Sequence, residues 1–276
     1  VQWQTSEIGS PNRDIVRIPI RFSKNVVSSY TVNSTGDAVD ADPGNGLCQT
    51  NNDDCTLRAA IMESNARYYH YVDSLLPIDF AMTADLPRIT LGGGMVSLNS
   101  TVHIDGYSQT GAQKNTASIV EEMNGKLRVE IDYNGTVGWI IEGDNSIVEG
   151  LVFNNANGNC LGISGDSNSV RGCYIGSDTT GLVNNTPDHD GIHLGGTFNT
   201  IGGDTPQSRN CILGGIRISG TETQNNSVIG NFIGCDKSGV TALSENAAGV
   251  TIEEGAHNHT IGGTTAEKRN VISGNQ

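Results

Sequence analysis

The run Asp188-His189-Asp190, with His193 just beyond it, is the most enzyme-like local pattern in the chain. Two carboxylates flanking an imidazole are the groups that give a proton to a glycosidic oxygen and take one from water. Asp188, Asp190 and His193 are therefore candidate catalytic residues for chemistry on a sugar polymer. The same run also suits an ordinary polar loop. A second cluster is Asp37, Asp40, Asp42 and Asp53, set among Gly and Asn turns. Calcium takes several oxygen ligands from such flexible segments, so these four aspartates are a candidate Ca2+ site. The spacing is not that of an EF-hand, which needs Gly at the sixth place and a terminal Glu. The plain alternative is a solvated acidic turn with Asp54 capping the helix that follows. No other cofactor is called for.

Six cysteines are present, with no CxxC pair and no His at zinc-like spacing, which argues against a structural zinc site. Cys48 and Cys55 bracket a six-residue loop and can meet the Cα separation a disulfide needs, which fits an oxidising compartment. Cys211 stands where Val271 stands in a later repeat and reads as an inward-facing core residue, with Cys160, Cys173 and Cys235 read the same way. A lyase would need a basic residue beside bound calcium. Arg209 and Arg269 recur in register and read instead as structural, each pairing with a turn carbonyl or an acidic neighbour.

The elements that must hold these residues follow from a repeat. Asn-Ser/Thr-Val/Ile occurs at Asn145, Asn168, Asn199 and Asn226, with His259-Thr260-Ile261 as a variant, at intervals of 23, 31, 27 and 33 residues. A longer period is clearer. Ile175-Gly176-x-Asp178 returns as Ile233-Gly234-x-Asp236, and Thr200-Ile201-Gly202-Gly203 through Ile212 returns as Thr260-Ile261-Gly262-Gly263 through Ile272. In that frame the position before Gly191 is acidic, whereas Asn246-Ala247-Ala248 precede Gly249, so the Asp188–Asp190 run belongs to one repeat alone. Repeats of this size indicate a solenoid or array. Their apolar members are Val, Ile and Leu in short runs bounded by Gly or Asn, which fits stacked β-coils and not helical repeats. A propeller is the competitor, but its blades carry Trp or His-Gly signatures, and Trp is scarce here.

Composition agrees. The chain has 276 residues, 36 of them Gly and 28 Asn, with 5% aromatics. Gly and Asn supply the positive-φ corners of a turn-rich β fold. A formal charge of −14 argues against nucleic acid as a partner, and no run of eighteen apolar residues could span a membrane. Residues 1–36, which include Asp14-Ile15-Val16-Arg17-Ile18-Pro19-Ile20, read as one or two strands, with Pro19 suggesting an edge. One helix is expected at 55–67, where Leu57, Ala60 and Ile61 share a face. Short strands are expected at 78–80, 88–91, 102–105, 127–131 and 139–141. The first residues show no basic and apolar leader, so the chain reads as processed or as an excerpt. Its last residues stop mid-coil, so the final rung is expected to continue into further coils or to pair with another subunit.

Asp37-Ala38-Val39-Asp40-Ala41-Asp42-Pro43-Gly44-Asn45-Gly46-Leu47-Cys48, followed by Cys55-Thr56-Leu57-Arg58-Ala59-Ala60-Ile61, resembles the CSLREA-type N-terminal module of bacterial secreted and surface proteins. Thr56 and Ala59 depart from the run of six residues that names the module. Val102-His103-Ile104-Asp105-Gly106-Tyr107-Ser108-Gln109-x-Gly111 and the Ile-Gly-Gly repeats resemble the right-handed parallel β-helix that commonly follows it. The resemblance covers residues 30–276 and is specific for architecture. It implies an all-β, pectate-lyase-like solenoid with an N-terminal capping helix: residues 1–75 form the strand, acidic-loop and helix module, and 76–276 the β-helix. Function is expected to be that of a non-catalytic secreted or cell-surface module, an adhesin or structural scaffold, with polysaccharide or a cell-surface glycan as partner. A β-helix polysaccharide lyase or glycoside hydrolase is the alternative, and a subunit of a stacking extracellular assembly is another.

Overall fold

A computed structural model describes residues 27–68, 75–185, 190–243 and 248–275. Of the one or two strands expected over residues 1–36, Tyr30–Val32 is present, and the Asp14–Ile20 run lies outside the described residues. The rest is mostly β, arranged as three parallel sheets. The first sheet has eight strands: Tyr30–Val32, Leu76–Phe80, Val102–Asp105, Ile147–Glu149, Ser169–Arg171, Thr200–Gly202, Ser227–Ile229 and Thr260–Ile261. Seven strands form the second: Arg88–Thr90, Val129–Asp132, Leu151–Asn154, Tyr174–Ile175, Cys211–Ile212, Phe232–Ile233 and Val271–Ile272. Trp139–Ile141, Leu161–Ile163, Ile192–Leu194, Ile216–Ser219 and Val250–Glu253 form the third. From Val102 onward the chain visits first, second and third sheet in the same rotation, a solenoid-like order.

Register explains why such short runs suffice. Along the first sheet Ile78, Ile104, Val148, Val170, Ile201, Val228 and Ile261 are successive partners, so branched side chains stack on their like. Ile89, Ile131, Phe153, Ile175, Ile212, Ile233 and Ile272 do the same in the second. These columns meet in one core, and each fully buried member contributes about 1.5–3 kcal/mol. At the last rung the columns surface: Ile252, Ile261 and Ile272 are exposed while their neighbours one coil back are buried.

Two asparagine ladders tie the coils together. The Asn168, Asn199 and Asn226 side chains accept from the backbone N–H of Ser146, Asn168 and Asn199, each at 2.8 Å. Their amides donate to the carbonyls of Gly143, Gly165 and Gly196 at 2.8–3.0 Å. A second ladder runs through Asn210, Asn231 and Asn270. The glycines beside the first ladder are required by proximity, since a Cβ on Gly165 would lie 2.2 Å from the Gly143 carbonyl oxygen.

The structure corrects one reading of the repeat. Ile147 pairs with Ser169, so Ser146, not Asn145, occupies the ladder place in that coil. The corners are the residues before the ladder, and Ser167 and Phe198 take positive φ there as well as Asn145, Asn225 and Asn258. At the far end His259 replaces Asn, its Nδ1 accepting from Asn226 N–H at 3.2 Å while its buried Nε2 has no hydrogen-bond partner among the described residues. Burial, and then the neighbouring His257, holds the His259 pKa below the usual imidazole value. Its neutral form is thus the one the fold favours: that contribution is present above the unfolded pKa of about 6.5 and is lost as pH falls below it. His259→Asn is therefore expected to raise the melting temperature more at pH 5 than at pH 8. An equal shift at both would show that protonation does not matter at this rung.

The helix is Leu57–Tyr68, packed against Tyr30–Val32. Its cap is Thr56, whose hydroxyl accepts from Ala59 N–H at 3.0 Å, and not the expected Asp54. Asp54 instead accepts from the Thr50 hydroxyl, and a hydrogen bond from Ser34 lowers its pKa. The start therefore falls two residues later than expected.

Residues 109–127 cross the outer face of the second sheet. Met123, Leu127 and the partly buried Ile119 cover Val152, Tyr174, Cys211 and Phe232 there, forming a second apolar cluster. Cys211 and Cys235 thus lie buried beneath this crossing segment rather than facing inward, whereas Cys160 and Cys173 lie in the main core. Arg209 donates to the carbonyls of Ala117 and Ser118 at 3.1 and 3.0 Å and stacks on Phe232, as its structural reading required. Asn115 donates to the Pro206 carbonyl, Met123 N–H to the Lys237 carbonyl, and Tyr107 to the Gly172 carbonyl.

Candidate functional site

The N-terminal acidic loop is closed just before the helix by a Cys48–Cys55 disulfide with Cα atoms 5.2 Å apart. Arg58, on the first turn, grips Asp37 with two bonds of 2.8 Å and donates to the Gly94 carbonyl at 3.0 Å. Glu63, two turns along the helix, accepts from the N–H groups of Gly44 and Gly46 at 2.5 Å. Burial raises the Glu63 pKa despite those two donors. Asp40 accepts from the N–H groups of Asp42 and Gln49, and Asp53 from the Gln49 side chain. The lone pairs of Asp37, Asp40 and Asp53 are thus turned to internal donors. Asp37, Asp40, Asp42 and Asp53 do not gather their oxygens into one ligand set among the described residues.

Where acidic and basic side chains do converge is the outer face of the first sheet. Strand register places Asp79, Asp105, Glu149 and then Arg171 in one outward column, one rung apart. His103 stands two residues before Asp105, and ligand-type atoms of His103, Asp105 and Glu149 come within 4.8 Å of one another. Glu149 is buried. One of its oxygens meets His103 Nε2 at 3.1 Å and Lys114 Nζ at 3.0 Å, and the other accepts from Arg171 Nε at 2.8 Å. Burial alone would raise its pKa, but these three donors outweigh it and hold the carboxyl down at about 2. Asp79 is displaced the other way, raised by burial and then by Asp105. Two carboxylates of opposite displacement beside an imidazole can in principle divide acid and base roles. With both oxygens of Glu149 already engaged, the arrangement first of all locks Lys114, and so the crossing segment, onto the sheet.

The third sheet carries His193. Its outward column runs Ile140, Gly162, His193, Arg217 and Thr251. His193 Nε2 meets the Ser219 hydroxyl at 2.7 Å. Burial, then Arg217, lowers its pKa, which favours the neutral ring. Arg217 in turn is paired with Glu253 and Glu254. Asp190 lies near enough to His193 to oppose that lowering, while Asp188 lies outside the described residues. Beside His193 an open trough of about 420 Å³ is bounded by Ile140, Glu142, Asn157, Asn159 and Ser164, with Gly162 among its lining residues.

The charged column escaped the sequence reading because its members are 22 to 44 residues apart. Aligning Val102-His103-Ile104-Asp105 with Ser146-Ile147-Val148-Glu149 on their buried valines and isoleucines would have found it. The trough left no such signal, since its floor is a missing side chain. Comparison of the chain with protein-family models, curated proteins and solved structures finds no match.

Proposed function

We propose that this chain is a non-catalytic module of a secreted or cell-surface protein, a right-handed parallel β-helix that serves as a scaffold and binds carbohydrate along its side. The observation that carries this reading is the unbroken rotation through three parallel sheets in register, which makes a rigid body with long, regular lateral faces. The helix Leu57–Tyr68 acts as its N-terminal cap, covering a sheet edge that would otherwise invite pairing. The CSLREA-type resemblance of the Cys48–Cys55 region supports a bacterial extracellular setting, as does the disulfide.

An enzyme acting on polysaccharide is the second reading, favoured by the approach of Asp79, Asp105, His103 and Glu149 on one face. One experiment separates the two. The protein is incubated with a panel of soluble polysaccharides, and products are assayed for new reducing ends and for unsaturated sugars. The expected result is retention on at least one polymer with no turnover. Turnover on any polymer, abolished by Asp105→Asn or by Asp190→Asn, would overturn the scaffold reading.

A further inference from the structure

Gly162 is the one glycine inside the strands of the third sheet, and the backbone does not need it there. A Cβ on Gly138 would lie 1.8 Å from the Asn159 carbonyl oxygen, and one on Gly196 would lie 2.1 Å from that of Gly165. At Gly162 the φ angle is ordinary, and an added Cβ would meet nothing nearer than Ile140 Cγ1 at 3.7 Å, an ordinary contact. The absent side chain therefore opens a gap in the outward column, between Ile140 on one rung and His193 two rungs on. With neighbouring strands ~4.8 Å apart, the Ile140 and His193 strands stand ~10 Å apart, a spacing that admits one pyranose ring edge-in over Gly162. Ile140 and Val137 are 42% and 62% exposed and give an aliphatic wall suited to the C–H face of a sugar. Asn157, Asn159 and Ser164 line the trough, and their side chains make no hydrogen bond among the described residues. Glu142 sits at the rim, bonded to the Ser97 hydroxyl.

We propose that the Gly162 trough is a subsite for a single neutral sugar unit of a glycan, gripped by Asn157, Asn159, Ser164 and Glu142 against the Ile140 wall. A neutral sugar is specified because the one carboxylate in the lining and the formal charge of −14 repel uronate, and because the nearby cation Arg217 is committed to Glu253 and Glu254. An amide, hydroxyl and carboxylate set matches vicinal hydroxyls, which donate and accept at once. This rests on the carbohydrate-binding part of the function proposed above.

The test is titration calorimetry of the whole chain with neutral gluco-, manno- and chito-oligosaccharides and with oligogalacturonate for comparison. Binding is measured for the wild type, for Gly162→Leu, which fills the gap, and for Ile140→Ser, which removes the wall while leaving a surface residue at that place. The expected result is binding of at least one neutral oligosaccharide, weakened tenfold or more in both variants with far-UV dichroism unchanged, and no binding of oligogalacturonate. Neutral-glycan binding that survives both substitutions would overturn the Gly162 subsite while leaving carbohydrate binding elsewhere on the module. Preference for oligogalacturonate would overturn the neutral specificity. Absence of binding to every neutral oligosaccharide would overturn the subsite together with the carbohydrate part of the proposed function.

Discussion

Asn199→Ala is expected to lower the unfolding free energy by about 3–5 kcal/mol, because it strips partners from two buried backbone groups at once. Its Oδ1 accepts from Asn168 N–H at 2.8 Å and its Nδ2 donates to the Gly165 carbonyl at 3.0 Å, while the side chain itself is fully buried. Water cannot reach either group in its place, and the neighbouring rungs are too tightly stacked to close over the gap. The same substitution at Asn145, which shares the triplet but sits at the exposed corner, is expected to cost only about 1 kcal/mol, the cost of a left-handed backbone without Gly or Asn. Urea unfolding of both variants provides the comparison. Equal losses would show that the triplet works as a corner signal and not as an internal ladder.

The other large effect is electrostatic. With its carboxyl held at about 2 against an ordinary value of 4.5, Glu149 favours the folded state when ionised. That stabilisation is full above the unfolded pKa of about 4.5 and is lost as pH falls toward 2. A displacement of this size corresponds to about 3 kcal/mol, and since Lys114 and Arg171 are partly exposed, about 2–3 kcal/mol is expected in practice. Glu149→Gln should therefore be less stable than wild type by that amount at pH 7, with the gap shrinking steadily below pH 4.5 and closing only as pH falls through about 2. A gap of the same size at both pH values would mean that shape, not charge, is what Glu149 supplies.

The parallel, repeating β character of the fold was legible because each coil must put a branched residue inside and a turn outside, and the Asn-Ser/Thr-Val/Ile triplets record both. The strand over Val102–Asp105 and that over Trp139–Ile141 fall where alternation placed them. Alignment by triplet failed at Asn145, since one motif can serve as corner or as ladder and only the pairing of Ile147 with Ser169 decides between them. Cys211 was placed on the wrong face for a related reason. Alternation fixes which residues share a face, but residues 109–127 bury an outer face that the repeat alone leaves open. The Asp37, Asp40, Asp42 and Asp53 cluster was dense in sequence, yet a dense run of carboxylates can equally feed loop N–H groups and one arginine, as Asp40 and Asp37 do. The charged column at Glu149 is the converse, sparse in sequence and gathered only by register.

The crossing segment also decides how the molecule would answer a mechanical load. A stack of coils pulled from its C-terminal end peels one turn at a time, each of ~30 residues paying out ~100 Å of chain. Residues 107–123 are bonded to the carbonyls of Gly172, Pro206 and Lys237, which belong to successive turns of the stack. Those turns cannot part singly without shearing the strap that joins them. The turns that carry Gly172, Pro206 and Lys237 are therefore expected to yield together under load and not one at a time.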